Sequence, residues 1–251
     1  MKNHPMNRYR TEIILGLSMV GLSLAFYAFH YLIFRDIHHI LLYFIGDFAF
    51  VFIQVLLVTL IIERILDVRE KESRLEKLNM VIGTFFSQAG YRLLEILIPL
   101  DRKNGELRHA LLISPAWTSR HFNEARTLVR GYRSELLIRP ADLKTLKSLS
   151  GSNTDFLLRL LENPSILEHE SFTECLRAVF HLTEELSFRK NLNRLPAKDI
   201  AHLTADANRV FGHLVVQWVD YMEHLKTCYG YLYSLSVRTN PFDPRASVIV
   251  P

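Results

Sequence analysis

Asp47 is a lone carboxylate inside a long apolar stretch, with Tyr43-Phe44-Ile45-Gly46 before it and Phe48-Ala49-Phe50-Val51 after it. An acid at membrane depth is costly unless it is paired, wetted or neutralised. A helical rotation of about 100° per residue places Asp47 on one face with Tyr43, Val51, Gln54, Val58, Ile61 and Ile65. Three chemistries suit that face. Across an antiparallel hairpin, Tyr27 or His30 would hydrogen-bond the carboxylate as a local clasp. Between copies of the chain, Asp47 and Gln54 would act as polar glue joining helices. Around a central axis, a ring of Asp47 would attract cations, and Val58, Ile61 and Ile65 would form a hydrophobic constriction that gates by dewetting.

Elsewhere the chain is rich in histidine, with eleven residues. His181 precedes Glu184 and Glu185 by three and four positions, Asp199-x-x-His202 is followed by Asp206, and Asp220 precedes His224 by four. Di-metal sites in helical bundles draw a Glu-x-x-His pair from each of two helices plus two further Glu. Only Asp199 and His202 approximate that spacing, so these groups are read as caps and surface pairs and no metal is expected. Cys175 and Cys228 are far apart and form no Cys-x-x-Cys pair, so neither zinc nor a disulfide is indicated. Phosphate-loop, dinucleotide, nucleophile-elbow, zinc-protease and kinase motifs are absent. No cofactor is expected. The reading is non-enzymatic, with a metal-dependent enzyme in the helical part as the outlying alternative.

Positive charge is uneven. Residues 119–147 hold seven Arg and Lys against three acids. Arg126, Arg130 and Arg133, spaced four and three apart, would share a helical face able to meet anionic lipid, an anionic ligand or an acidic partner. The plain alternative is a solvated face. No nucleic-acid-reading motif accompanies the charge, so nucleic acid is not expected.

The elements that must position these residues are helices. Residues 12–34 and 40–63 form two apolar spans, each long enough to cross a bilayer at about 20 residues per crossing. The first is too long for a signal-peptide core and a second span follows at once, so a retained helix is expected. Lys2, Arg8 and Arg10 precede the first span. Arg64, Arg69, Lys71, Arg74 and Lys77 follow the second, while the connector Arg35-Asp36-Ile37-His38-His39 carries one Arg. The positive-inside rule puts both termini in the cytoplasm. Ser18, Gly21, Ala25 and Ala28 give the first span a small-residue face suited to helix packing in lipid.

No Gly or Pro follows Ile62 until Gly83, and Asp67→Lys71 and Glu70→Arg74 are favourable i,i+4 pairs. The second span is therefore expected to continue as a helix, serving either as coupling to a cytoplasmic domain or as a solvated linker. The remainder reads as helices over 81–98, part of 101–117, 119–137, a short one from Pro140 to Gly151, 156–161, a helix opened by the capping box Ser171-x-x-Glu174, and 197–228 behind Pro196.

Four segments carry a resemblance: Tyr43-Phe44-Ile45-Gly46-Asp47-Phe48, Glu76-Lys77-Leu78-Asn79-Met80-Val81-Ile82-Gly83, His169-Glu170-Ser171-Phe172-Thr173 with Phe180-His181-Leu182-Thr183-Glu184-Glu185, and Arg238-Thr239-Asn240-Pro241-Phe242-Asp243-Pro244. With these the chain resembles an uncharacterised prokaryotic family of two-span membrane proteins. The resemblance implies membrane placement and transfers no activity or site residue.

The expectation is all-α. It comprises an N-terminus (1–11), a two-helix transmembrane hairpin (12–63), a juxtamembrane extension (64–80), a helical cytoplasmic domain (81–239) and a tail (240–251). The partners expected are the lipid bilayer, further copies of the chain, and an anionic lipid or acidic partner at the basic segment. The expected site is the inner cytoplasmic membrane. The expected role is an anchored sensor or scaffold, with a cation channel as the alternative.

Overall fold

The computed structural model describes residues 5–167 and 169–249. Lys2, Val250 and Pro251 lie outside these residues, as do the side chains of Arg8, Glu72, Arg74 and Leu75. The fold is all-α, with no strand among the described residues. It divides into two compact units, Met1–Glu70 and Lys71–Pro251.

The first unit holds α1 (Pro5–Phe34) and most of α2 (Ile37–Phe85), a single helix of 49 residues. The absence of Gly and Pro after Ile62 lets α2 run on. Two residues join α1 to α2. Arg35 closes the first helix in the left-handed region (φ 47°), with its N–H donated to the Tyr31 carbonyl at 2.8 Å. Asp36 opens the second, its Oδ1 accepting from the His39 N–H at 3.2 Å. The helix thus starts at Ile37, inside the expected five-residue connector. Segments Glu12–Phe34 and Ile37–Leu100 each contain an 18-residue stretch long and apolar enough to cross a membrane, and neither stretch is buried within the chain.

The second unit has its core around α10 (Ala197–Cys228). It packs on α9 (Glu170–Phe188), α5 (Ser119–Gly131), α11 (Gly230–Arg238) and α3 (Tyr91–Leu97). α6 (Pro140–Ser152) and α7 (Thr154–Leu161) lean on α9, and α4 (Asn104–Ala110) and α8 (Pro164–Leu167) complete the set. Leu203, Ala207, Val210, Phe211, Leu214, Trp218 and Met222 recur at three- and four-residue spacing along α10 and are fully buried.

Several boundaries differ from expectation for identifiable reasons. The division between units falls at Glu70, ahead of residue 80, because Leu78 and Ile82 are core residues of the second unit. Their rhythm serves packing in that core. The helix expected over 81–98 is interrupted by a π-helical turn, Phe86–Gly90, with Phe85 and Phe86 both buried. α9 begins at Glu170, since the His169 ring accepts from the Phe172 N–H at 3.3 Å and acts as the cap. Ser171 instead accepts from Gln217 at 3.1 Å. Pro196 precedes α10 as its cap residue, one position ahead of the expected N1. The start of the tail belongs to the core. The Asn240 amide donates to the Leu111 carbonyl at 2.7 Å, and Phe242 is fully buried.

Candidate functional site

In the first unit, Ser23, Tyr27, His30, His39, Tyr43 and Asp47 line an open groove of about 740 Å³. Its aromatic wall is ordered. The His30 and His39 rings stack at 5.7 Å, and Tyr27 meets Phe44 edge-on at 6.5 Å. Tyr27 and His30 therefore share a cavity with Asp47, as hairpin register requires. Neither bonds it. Asp47 and Gln54 have no hydrogen-bond partner among the described residues, and Nδ1 of His30 is buried without one. The clasp expected from spacing is not formed. Val58, Ile61 and Ile65 are about half exposed within the chain.

The basic segment is rearranged. α5 ends at Gly131, so Arg133 lies in the following loop and the three arginines do not share a helical face. Arg126 is withdrawn from the surface. Its Nε donates to Asp220 Oδ1 at 2.7 Å and its Nη2 to Glu223 Oε2 at 2.6 Å, both on α10. Burial works against the charge, but the bonds from Glu223 and Asp220 prevail and raise the Arg126 pKa.

What remains exposed is a groove of about 430 Å³ that includes Arg130, Arg133, Ser134, Asn208, Arg209, Gly212 and His213. Sequence spacing pointed to Arg130 and Arg133 but missed Arg209, Gly212 and His213. They are far along the chain, and only the packing of α5 on α10 brings them near. Burial, with a smaller push from Arg209 against the pull of Glu174, holds the His213 imidazole below its usual range.

The histidine and carboxylate residues of α9 and α10 meet in a different pairing from the one suggested by spacing. Asp199 belongs to Arg189, which bonds it at 2.8 and 2.6 Å and also bonds Glu185 at 2.7 Å. The Asp199 bond comes first in raising the Arg189 pKa, and the Arg189 bond comes first in lowering those of Glu185 and Asp199. His202 faces Asp206 at 3.4 Å and Glu185 at 3.6 Å, and His181 faces Asp206 at 3.7 Å. These separations exceed a hydrogen bond. No group of three or more His, Cys, Asp or Glu is placed to hold a metal ion among the described residues. His224 does not pair with Asp220. Its ring rests on Tyr229 at 5.6 Å, and burial lowers its pKa. Cys175 is fully buried and burial raises its thiol pKa, which removes it as a nucleophile.

Comparison with known proteins divides the chain at nearly the same place as the fold does. A family model described as the N-terminal helical domain of MJ1433 matches residues 6–66. A second, described as the C-terminal helical domain of the uncharacterized protein MJ1433, matches residues 74–238. Uncharacterized protein MJ1433 of Methanocaldococcus jannaschii is 48% identical over 244 residues, covering 97% of this chain and 98% of that relative. No solved structure matches.

Proposed function

The chain belongs to the family of the uncharacterized protein MJ1433, and we propose that it is a non-enzymatic membrane protein. In this reading its N-terminal helices cross the cytoplasmic membrane, both termini face the cytoplasm, and copies of the chain associate through the spans. The C-terminal helical unit is then a cytoplasmic sensor or scaffold domain held at the membrane.

One observation carries this reading. Nearly every large apolar side chain from Ile13 to Val68 is exposed within the chain. Leaving such a side chain in water instead of burying it forfeits about 1.5–3 kcal/mol. Repeated along two helices, that exceeds the ~5–15 kcal/mol that holds a typical domain folded. Lipid removes the penalty. A bare carboxylate and amide on the same helix then require other helices around them, which supports self-association.

Fractionation and labelling test it. The protein is expected to stay with membranes through alkaline washing. Cys228, which is exposed, is expected to react with an impermeant maleimide only after cells are opened, and an Asp36→Cys variant from outside. Recovery in the soluble fraction, or labelling of Cys228 in intact cells, would defeat it.

A second reading, a cation-conducting pore, is favoured by one feature: Asp47 and Gln54 share a helical face with Val58, Ile61 and Ile65 and have no hydrogen-bond partner among the described residues. Cation conductance in liposomes, reduced by Asp47→Ala, would support it. Conductance unchanged by that substitution would remove Asp47 from any selectivity role.

A further inference from the structure

Several arginines of the second unit are matched to an acid. Arg126 meets Asp220 and Glu223, Arg189 meets Glu185 and Asp199, and Arg120, Arg139 and Arg177 meet Glu124, Asp142 and Glu174. The groove between the end of α5, the loop after it and the middle of α10 gathers three more. Arg130, Arg133 and Arg209 line it, and no carboxylate does. The Arg130 guanidinium has no partner among the described residues. Arg133 is folded back on the carbonyls of Arg130 and Tyr132 through Nη1 at 3.3 and 3.1 Å. Arg209 is tied to Asp206 through Nη1 at 3.0 Å. Two of the three cations are thus held by one nitrogen, and their remaining donors make no hydrogen bond among the described residues.

The wall of the groove is fixed. Asn208 on α10 accepts from the Ser134 hydroxyl at 2.7 Å and the Leu136 N–H at 3.2 Å, and its amide donates to the Thr204 carbonyl at 2.9 Å. That pins the arginine-bearing loop to the helix. A second feature points the same way. Gly212 lies inside a 32-residue helix, where glycine costs about 1 kcal/mol relative to alanine. A Cβ there would meet nothing within 4 Å, so packing does not require the glycine. Its missing side chain opens the groove.

We propose that this groove binds a phosphate group, with the guanidinium forks of Arg130, Arg133 and Arg209 as its donors and Gly212 clearing the space for it. Guanidinium matches phosphate oxygens two at a time, which suits a groove lined by three arginines and by no carboxylate. The phosphate belongs either to a soluble phosphorylated molecule or to an anionic lipid headgroup. The site lies entirely within Lys71–Pro251, and only the headgroup alternative rests on the membrane reading.

The test uses the full chain in phosphatidylcholine nanodiscs, titrated with inorganic pyrophosphate by calorimetry. A parallel arm replaces part of the lipid with phosphatidic acid and counts retained lipid by native mass spectrometry. Saturable binding in the first arm identifies a soluble phosphate, and retention in the second alone identifies a headgroup. In either arm Arg130→Gln and Gly212→Leu are each expected to weaken binding at least tenfold, while Arg120→Gln leaves it unchanged. Gly212→Leu keeps every charge and enters open space, so its melting temperature shows that it is folded. No saturable binding in either arm, or binding unaffected by Gly212→Leu and Arg130→Gln, overturns the proposal.

Discussion

The ring of Phe242 packs 4.8 Å from the indole of Trp218, and both side chains are fully buried. A residue near the end of the chain therefore plugs the core formed along α10. Phe242→Ala is expected to destabilise the second unit by about 3–5 kcal/mol, the usual range for a truncated core aromatic. Urea denaturation measures it, and a loss under 1 kcal/mol would show that the tail is dispensable.

Arg126 serves structure and not the anion-binding surface. Arg126→Met leaves Asp220 and Glu223 facing each other without their cation. Because these groups retain some contact with solvent, the expected cost is about 1–2 kcal/mol once screening is allowed for. Arg130→Met, at an exposed position, should leave the melting temperature unchanged. Equal effects of the two would contradict the assignment.

Arg189 sets an acid limit on stability. Its bonds hold Glu185 and Asp199 below their ordinary pKa values, so folding releases protons at low pH. The stabilisation is present above the unfolded values, near ~4, and is lost as pH falls through the folded ones. Urea midpoints measured from pH 7 to pH 3 should decline below about pH 4.5. Arg189→Met should start lower at pH 7 and decline less. Parallel curves would show that these bonds contribute nothing to the pH dependence.

Two glycines should respond oppositely to alanine. At Gly90 a Cβ would come within 2.6 Å of Phe86 Cδ1 and 3.1 Å of Phe85 Cε1, against rings fully buried in the core. Gly90→Ala is expected to cost about 1–3 kcal/mol through overpacking. Gly212→Ala, in open space within a helix, is expected to gain about 0.5–1 kcal/mol. Thermal melts of the two variants give the signs directly.

Local signals in the sequence reached some of this and missed the rest for physical reasons. Uninterrupted apolar sequence without Gly or Pro located α1 and the long α2, and Pro196 and the stretch to Cys228 located α10. The π turn at Phe86–Gly90 has no local signature, because tertiary packing of Phe85 and Phe86 imposes it. Gly131 ends α5 six residues before the expected Leu137, which separates Arg133 from the helical face of Arg126 and Arg130. The partners of Arg126 are 94 and 97 residues away, beyond any spacing argument. Asp47 was legible as an exception to its surroundings, and Tyr27 and His30, expected as its hydrogen-bond partners, line the same groove without bonding it.

The central claim is that the N-terminal helices sit in lipid and associate there, with Asp47 at the contact between copies. Native mass spectrometry of the full chain released from lipid nanodiscs tests it most directly. The account predicts an oligomer that Asp47→Leu shifts toward monomer and Asp47→Asn, which keeps a hydrogen-bonding side chain, preserves. A monomer, or a chain that stays dispersed in water without lipid or detergent, would contradict it.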